Sequence, residues 1–341
     1  MTDIYLDLLR SMISIPSYSG EEGGTAELIY DFLDSRGAAP ARVGNNVYAL
    51  SDGFDSSLPI LLLTSHHDTS RPQISCRRSP FSPDIVEGRL YGLGSVEAGA
   101  SVSALIAAFM ELRSKHLPFN LLLAITAEGE TGGDGGMKRF MRVLSRLGII
   151  PAAAIIGAPT SLRGAVAEHG KLSLAAETKG ANAIYRAMDD IAAIRAFRLP
   201  QVSQLMGPVA IDIRGIKSND SAGRQPDMCY WNVELTTTDA YPNAEVLELL
   251  RKTVSRNTML KPRGGSVDAA VIRPSHPLVK AFAGQTFVSH SPSAMTMLPF
   301  PAIKIGPGNP SRARRPDEFV ELSEIKEAIS LYVNMMTVLK L

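Results

Sequence analysis

The chain is poor in cysteine. Cys76 and Cys229 are the only two among 341 residues, far apart and in no zinc-finger spacing. That excludes a disulfide scaffold and fits a reducing compartment. Charge of one sign is also missing: 35 basic and 34 acidic side chains leave a net charge of +1. Such a balance gives no electrostatic footprint for nucleic acid or an anionic membrane. No apolar run approaches the roughly 20 residues needed to span a bilayer; the run at 147–156 is short and contains Pro151. The opening MTDIYLDLLR puts acidic residues ahead of any apolar stretch, unlike a signal peptide. There is no internal repeat and no low-complexity tract. The expectation is a soluble cytoplasmic protein without a nucleic-acid or membrane partner.

What is present supports a large folded core. Apolar residues make up 45% of the chain, and its length suits about two domains. Helical spacing of apolar residues marks 4–14 and 21–33, and strands are expected at 46–50 and 60–65. The run LLLTS is apolar on both faces, as in a strand buried inside a parallel sheet. A buried helix is expected at 97–112, a strand at 120–126, a helix at 137–147 and a strand at 152–156. Alternating strands and helices imply an α/β fold: a mainly parallel sheet with helices on both faces. Ligands in such sheets bind beyond the carboxyl ends of the strands. The polar clusters after Ser65, Thr126 and Ile156 fall at that edge.

From about Lys171 the pattern changes to a smaller α+β unit. Strands are expected at 172–177, 209–216 and 231–238, and helices at 182–197 and 243–256. The chain then resumes with a helix at 276–284, a strand at 301–305 and a terminal helix at 322–339 opened by the cap-like Ser323.

Six motifs occur in one order: SHHDTSRP with SPFSPDIVEGRLYGLGS, TAEGETGG, IIGAPTS with AVAEHGKL, NAIYRAMDD, RQPDMCYWNVELTTTDAYPNAEV and IKIGPGNPSRARRPDEFVELSEI. In this order the chain resembles the zinc-dependent amidohydrolase and metallopeptidase family of acetylornithine deacetylase, succinyl-diaminopimelate desuccinylase and carboxypeptidase G. The resemblance covers nearly the whole chain. It implies a catalytic-type domain from residues 1–167 and 270–341, and an inserted ferredoxin-like lid and dimerisation domain at 168–269. It also implies a homodimer through that lid and two zinc ions, each with three protein ligands, sharing a carboxylate and a water.

The resemblance assigns each site position, and most of them carry the wrong group. His66 falls on a metal ligand, and Asp68 falls where an aspartate orients that ring. Glu97 stands in GSVEAGA where an aspartate normally bridges the ions. Glu130 falls on a terminal ligand, but the general-base position is Gly129, which cannot carry a proton. Glu128 is next to it, and in an extended segment its side chain points to the opposite side. Ala158 in GAPT replaces a ligand, and Arg314 in RARRPDEF replaces a ligating histidine; a guanidinium does not ligate zinc. The lid histidine is absent, and Gly223 stands at the lid asparagine.

The implied reading is a preserved scaffold with a dismantled centre: a pseudoenzyme with no cofactor, binding a small acyl-amino-acid-like ligand or an active paralogue. The alternative is an active N-acyl-amino-acid deacylase or peptidase with one metal on His66, Glu97 and Glu130, together with His67. Without metals, Asp68, Glu97, Glu128 and Glu130 would repel one another. Arg314 is therefore expected to turn into the old site and pair with Glu130, Glu97 or both.

Overall fold

The computed structural model describes residues 2–219 and 225–341; Gly223 lies outside the described residues. The chain divides into two compact units. One comprises Met1–Val166, Ile272–Phe287 and Ser293–Leu341; the other comprises Ala167–Val271 and Val288–Pro292.

The larger unit is built on a mixed sheet. Its centre is parallel: Ile60–His66 pairs with Asn120–Thr126 on one side and Ala153–Ile156 on the other, and Ala302–Lys304 continues beside Ala153–Ile156. The margins are antiparallel. Asn46–Leu50 runs against Asn120–Thr126, and Gly164–Glu168 meets Ala302–Lys304 at Ala165. The central strands are apolar on both faces because both faces are covered: Leu61, Leu62, Leu63, Leu121, Leu122 and Leu123 have no solvent exposure. Burying each such side chain contributes about 1.5–3 kcal/mol.

Helix Ala100–Leu112 is buried along nearly its whole length. It packs against Thr2–Ile13 and Leu322–Val338. Segment Ser95–Leu112 does have the length and mean hydropathy, 1.4, of a membrane span, contrary to the sequence expectation. Within the protein 83% of it is buried, which is what a core helix requires.

Three expected boundaries move. The helix expected from Glu97 begins at Ala100 and is preceded by a π-type turn, Ser95–Gly99, in which Glu97 is non-helical. The Glu318 carboxylate accepts hydrogen bonds from the amides of Val96 and Glu97 and so holds them out of the helix. The terminal helix is capped by Glu321, in a capping box with Glu324, so Ser323 lies inside it. The helix expected at 276–284 is only Pro277–Ala281, followed by the strand Thr286–Ser289.

Sheet register positions the site. His66 pairs with Thr126, and Thr64 pairs with Ile156. The loops 67–70, 127–130 and 157–160 therefore leave the sheet together at the carboxyl ends of the parallel strands.

The smaller unit has a four-stranded antiparallel sheet in the order Ala210–Ser218, Met228–Thr237, Gly170–Lys179, Thr258–Pro262. Helices Ala183–Ala196 and Asn243–Thr253 follow the first and third strands in sequence, a β-α-β-β-α-β connection. Its core includes Leu174, Ile194, Trp231, Val233 and Leu250. Alternation along Met228–Thr237 puts Cys229, Trp231, Val233 and Leu235 on the buried face. The Trp231 indole donates to the Thr178 hydroxyl at 3.0 Å, so its one polar atom is satisfied.

Candidate active site

Asp68 is the anchor of the site and is fully buried. Its Oδ1 accepts from His66 Nδ1 at 3.0 Å and from the Gly129 amide at 2.7 Å. Its Oδ2 accepts from the Ser19 hydroxyl at 2.6 Å and the Glu130 amide at 3.0 Å. Burial alone would raise its pKa, but His66, Ser19 and the Glu130 amide together hold it well below the usual carboxylate range.

His66 closes strand Ile60–His66 and lies between two acids. Nδ1 faces Asp68, and Nε2 lies 3.1 Å from Glu97 Oε1. Burial opposes the charge on this ring most strongly, yet hydrogen bonds and charges from Asp68 and Glu97 outweigh it and raise the pKa well above 6.5. Both ring nitrogens face carboxylate oxygens, an arrangement that favours the protonated, doubly donating form. To ligate a metal, Nε2 would have to be deprotonated and turn its lone pair to the ion instead of facing Glu97.

Arg314 stands opposite, in the left-handed backbone region with φ of 57°. Its Nε lies 2.7 Å from Glu130 Oε2, and its Nη2 lies 3.9 Å from Glu97 Oε1. Burial works against its charge, but Glu97, Glu130 and Glu318 raise its pKa. Glu97 is lowered: burial acts against ionisation, and His66, Arg314 and Lys304 overcome it. Glu130 is raised, because burial there outweighs His66 and Arg314. Asp68, His66, Glu97, Arg314 and Glu130 thus form one alternating chain of charges.

Two of the expected participants are elsewhere. Glu128 does not join the other acids: its backbone has φ of 51°, and its Oε2 accepts from the Gly135 amide at 3.0 Å. His67 does not join a metal group either. Its Nδ1 meets the Thr25 hydroxyl at 2.8 Å and its Nε2 meets the Asn45 carbonyl at 2.9 Å, with burial lowering its pKa.

Two further carboxylates do structural work that the motifs left unassigned. Glu22 is fully buried and accepts from the amides of Gly20 and Glu128 and from the Asn45 side chain. Glu318 accepts from the amides of Val96, Glu97 and Arg314, joining the segments that carry two members of the charge chain. Burial, reinforced by the Glu97 charge, pushes the Glu318 carboxyl up to about 7 against those three donors. The only sequence signal for Glu318 was its place in the PDEF string.

The sequence profile of Peptidase family M20/M25/M40 matches residues 62–338, a stretch that contains every member of this charge chain. The chain belongs to this family. The M20 chain is 30% identical over 169 residues to the succinyl-diaminopimelate desuccinylase of Delftia acidovorans, covering 46% of this chain and 44% of that protein. It is 30% identical over 244 residues to a probable carboxypeptidase of Neosartorya fischeri, covering 64% of this chain and 54% of that one. These matches span about half the length of those relatives. The acetylornithine deacetylase of Proteus mirabilis is 24% identical over 94% of this chain and 93% of its own. Among solved structures, a dinuclear metal-binding M20 peptidase of Bacillus subtilis superposes with a TM-score of 0.77 at 14% identity, covering 99% of this chain and 98% of that one.

A pair of zinc ions needs about three protein ligands at each ion, even with one carboxylate shared. This M20 chain offers His66, Glu97 and Glu130, whose ligand atoms lie within 4.8 Å of one another. Ala158 has no donor, and Arg314 puts a cation against two of the acids. The residues present do not fit two zinc ions. Three donors do match the ligand count of a single ion. Glu130 Oε1 is buried and has no hydrogen-bond partner among the described residues.

A Cβ at Gly129 would overlap the Cβ and Cγ of His66. No side chain fits at that position unless His66 moves.

Proposed function

We propose that this M20-family chain has lost zinc-dependent amide hydrolysis and uses its cleft for binding. The observation that carries the reading is the Arg314 guanidinium, 2.7 Å from Glu130 and 3.9 Å from Glu97. It supplies a fixed positive charge among acids that would otherwise repel one another. His66, with its two ring nitrogens against Asp68 and Glu97, supplies the second when protonated. No base stands at Gly129, and Glu128 is engaged with Gly135. Loss of a general base alone costs about 10²–10⁴ in rate. The ligand expected from the named relatives is a small acyl-amino-acid-like molecule.

A second reading is favoured by one observation. His66, Glu97 and Glu130 present three donors, and Glu130 Oε1 lacks a partner among the described residues. A single-metal hydrolase of N-acyl amino acids or peptides would use these groups after His66 deprotonates and Arg314 swings away.

Metal content of protein purified without chelator, together with turnover of N-acetyl and N-succinyl amino acids, separates the two readings. The expected result is no stoichiometric metal and no metal-stimulated turnover. Turnover that rises with zinc or cobalt and disappears in His66→Ala would overturn the first reading. The homodimer is part of the proposal as well. The smaller sheet ends in Ala210–Ser218 and Thr258–Pro262, edges able to pair with another chain. Light scattering tests it, and a stable monomer at micromolar concentration would count against it.

A further inference from the structure

Beside Arg314 lies a cavity of about 240 Å³ between the loop after Asp68 and the turn 314–318. Its walls are tied together. The Gln73 side chain donates to the Arg314 carbonyl at 2.6 Å, and Asp317 Oδ1 accepts from the amides of Arg77 and Arg78 at 2.9 and 2.8 Å. The cavity is therefore held by contacts between loops distant in sequence, with its shape set before a ligand arrives.

Its charged lining is mainly basic. Arg71, Arg78 and Arg315 line it, in addition to Arg314. Arg71 meets Glu21 at 3.3 Å and lies over the Tyr18 ring, 4.4 Å from its centroid, and the side chains of this ion pair are mostly exposed. Arg78 reaches Asp84 at a loose 3.7 Å and lies over the Tyr91 ring, 4.2 Å from its centroid. Arg315 has no side-chain ion pair or hydrogen bond among the described residues. Exposed pairs of this kind are cheap to exchange. Two acids, Asp317 and Glu318, also line the cavity, fewer than its four arginines. Asp317 holds the amides of Arg77 and Arg78, and both oxygens of Glu318 are taken by backbone amides.

We propose that this cavity binds a phosphoryl dianion, either inorganic phosphate or a small phosphomonoester. A carboxylate offers two oxygens in one plane and is matched by a single guanidinium fork. Three recruitable guanidiniums, with Ser70 and Ser79 also among the lining residues, exceed what it can use. A phosphoryl group carries a charge of about −1.5 to −2 and three acceptor oxygens, which suits such an arginine cluster. At about 30 Å³ per water-sized volume, the space holds that group with a short carbon body. The inference rests on the binding role proposed above and, for this cavity, replaces the acyl-amino-acid-like ligand expected from the relatives with a phosphoryl one.

Titration calorimetry on the full chain tests it, with inorganic phosphate, glycerol 3-phosphate, succinate and N-acetylglycine as probes. One or both phosphates should bind, and more tightly than either carboxylate. Equal affinity for the two phosphates supports the free anion as the ligand; tighter binding of the ester supports an organic body. Arg78→Ala with Arg315→Ala should weaken binding about tenfold for each guanidinium removed. Arg315→Lys, which keeps the charge and the fold but loses the fork, should weaken it less than Arg315→Ala. The proposal fails if neither phosphate binds, if a carboxylate binds as tightly, or if the arginine variants bind unchanged. Zinc-stimulated hydrolysis in a parallel assay would sink the functional reading and leave this site standing. Absent phosphate binding in a zinc-inert protein would do the reverse.

Discussion

The two sides of the charge chain differ in what their side chains hold. On one side Asp68 is fully buried, and both its oxygens are occupied by a side chain and a backbone amide each. On the other side Arg314 has 53% of its side chain exposed, and Glu130 leaves one oxygen without a partner among the described residues. A carboxylate that organises backbone cannot be exchanged without disturbing the loops it holds. A side chain that touches only other side chains can be replaced by any group of suitable charge and reach. The resemblance places the histidine-to-arginine exchange on that second, more permissive side.

The largest expected effect breaks the anchored side. Asp68→Ala removes one of the two acids flanking His66 and takes the acceptor from the Ser19 hydroxyl and the amides of Gly129 and Glu130, and should lower unfolding free energy by about 3–5 kcal/mol. Urea denaturation measures it; an equal loss from Arg314→Ala would erase the contrast. Next comes a gain. Arg314→His combined with Ala158→Glu should create zinc affinity, seen as about 2.7 kcal/mol of stabilisation at zinc one hundredfold above Kd. Thermal melts with and without zinc check it, and no shift would mean the permissive side holds backbone after all.

The pH profile sharpens the comparison further. The raised pKa of His66 means that its contribution is complete below about 6.5 and is lost as pH rises through the higher folded value. Asp68 is depressed, so its contribution is present above about 3.9 and is lost as pH falls through its folded value. Glu318, raised to about 7, makes stability decline as pH climbs from about 4.5 towards that value. Urea midpoints should therefore fall from pH 5 to pH 9, and Asp68→Asn should flatten the limb above 6.5. A profile rising over that range would contradict the raised pKa of His66.

Arg314→Ala should cost about 1 kcal/mol, since an exposed guanidinium is screened by solvent. The same denaturation curves read it. The smallest effect is expected from Glu128→Ala, about 0.5–1 kcal/mol for its hydrogen bond to Gly135, with metal content unchanged. A change in metal content would return Glu128 to the site.

Much of this was legible in the chain itself. Fully apolar strands announced a sheet covered on both faces, and six motifs in order announced the family. The start of the helix after Ser95 was not legible, because Glu318, 222 positions from Val96, decides it. Glu128 is out of the site, though not through the alternation of an extended strand; a left-handed turn aims it at Gly135. His67, adjacent to His66, is held by Thr25 and Asn45, which no local pattern announces.

The sequence by itself determined which groups exist. A glycine at 129 has no side chain, an alanine at 158 has no donor, and an arginine at 314 carries a permanent charge. These are covalent facts, independent of conformation. Only the tertiary structure decided where the groups point: His66 between two acids, Arg314 onto Glu130, and Glu318 beneath both Glu97 and Arg314. The physical reason is that side-chain direction follows backbone dihedrals and contacts between loops far apart in the chain, and in this site those loops meet only at the end of a folded sheet.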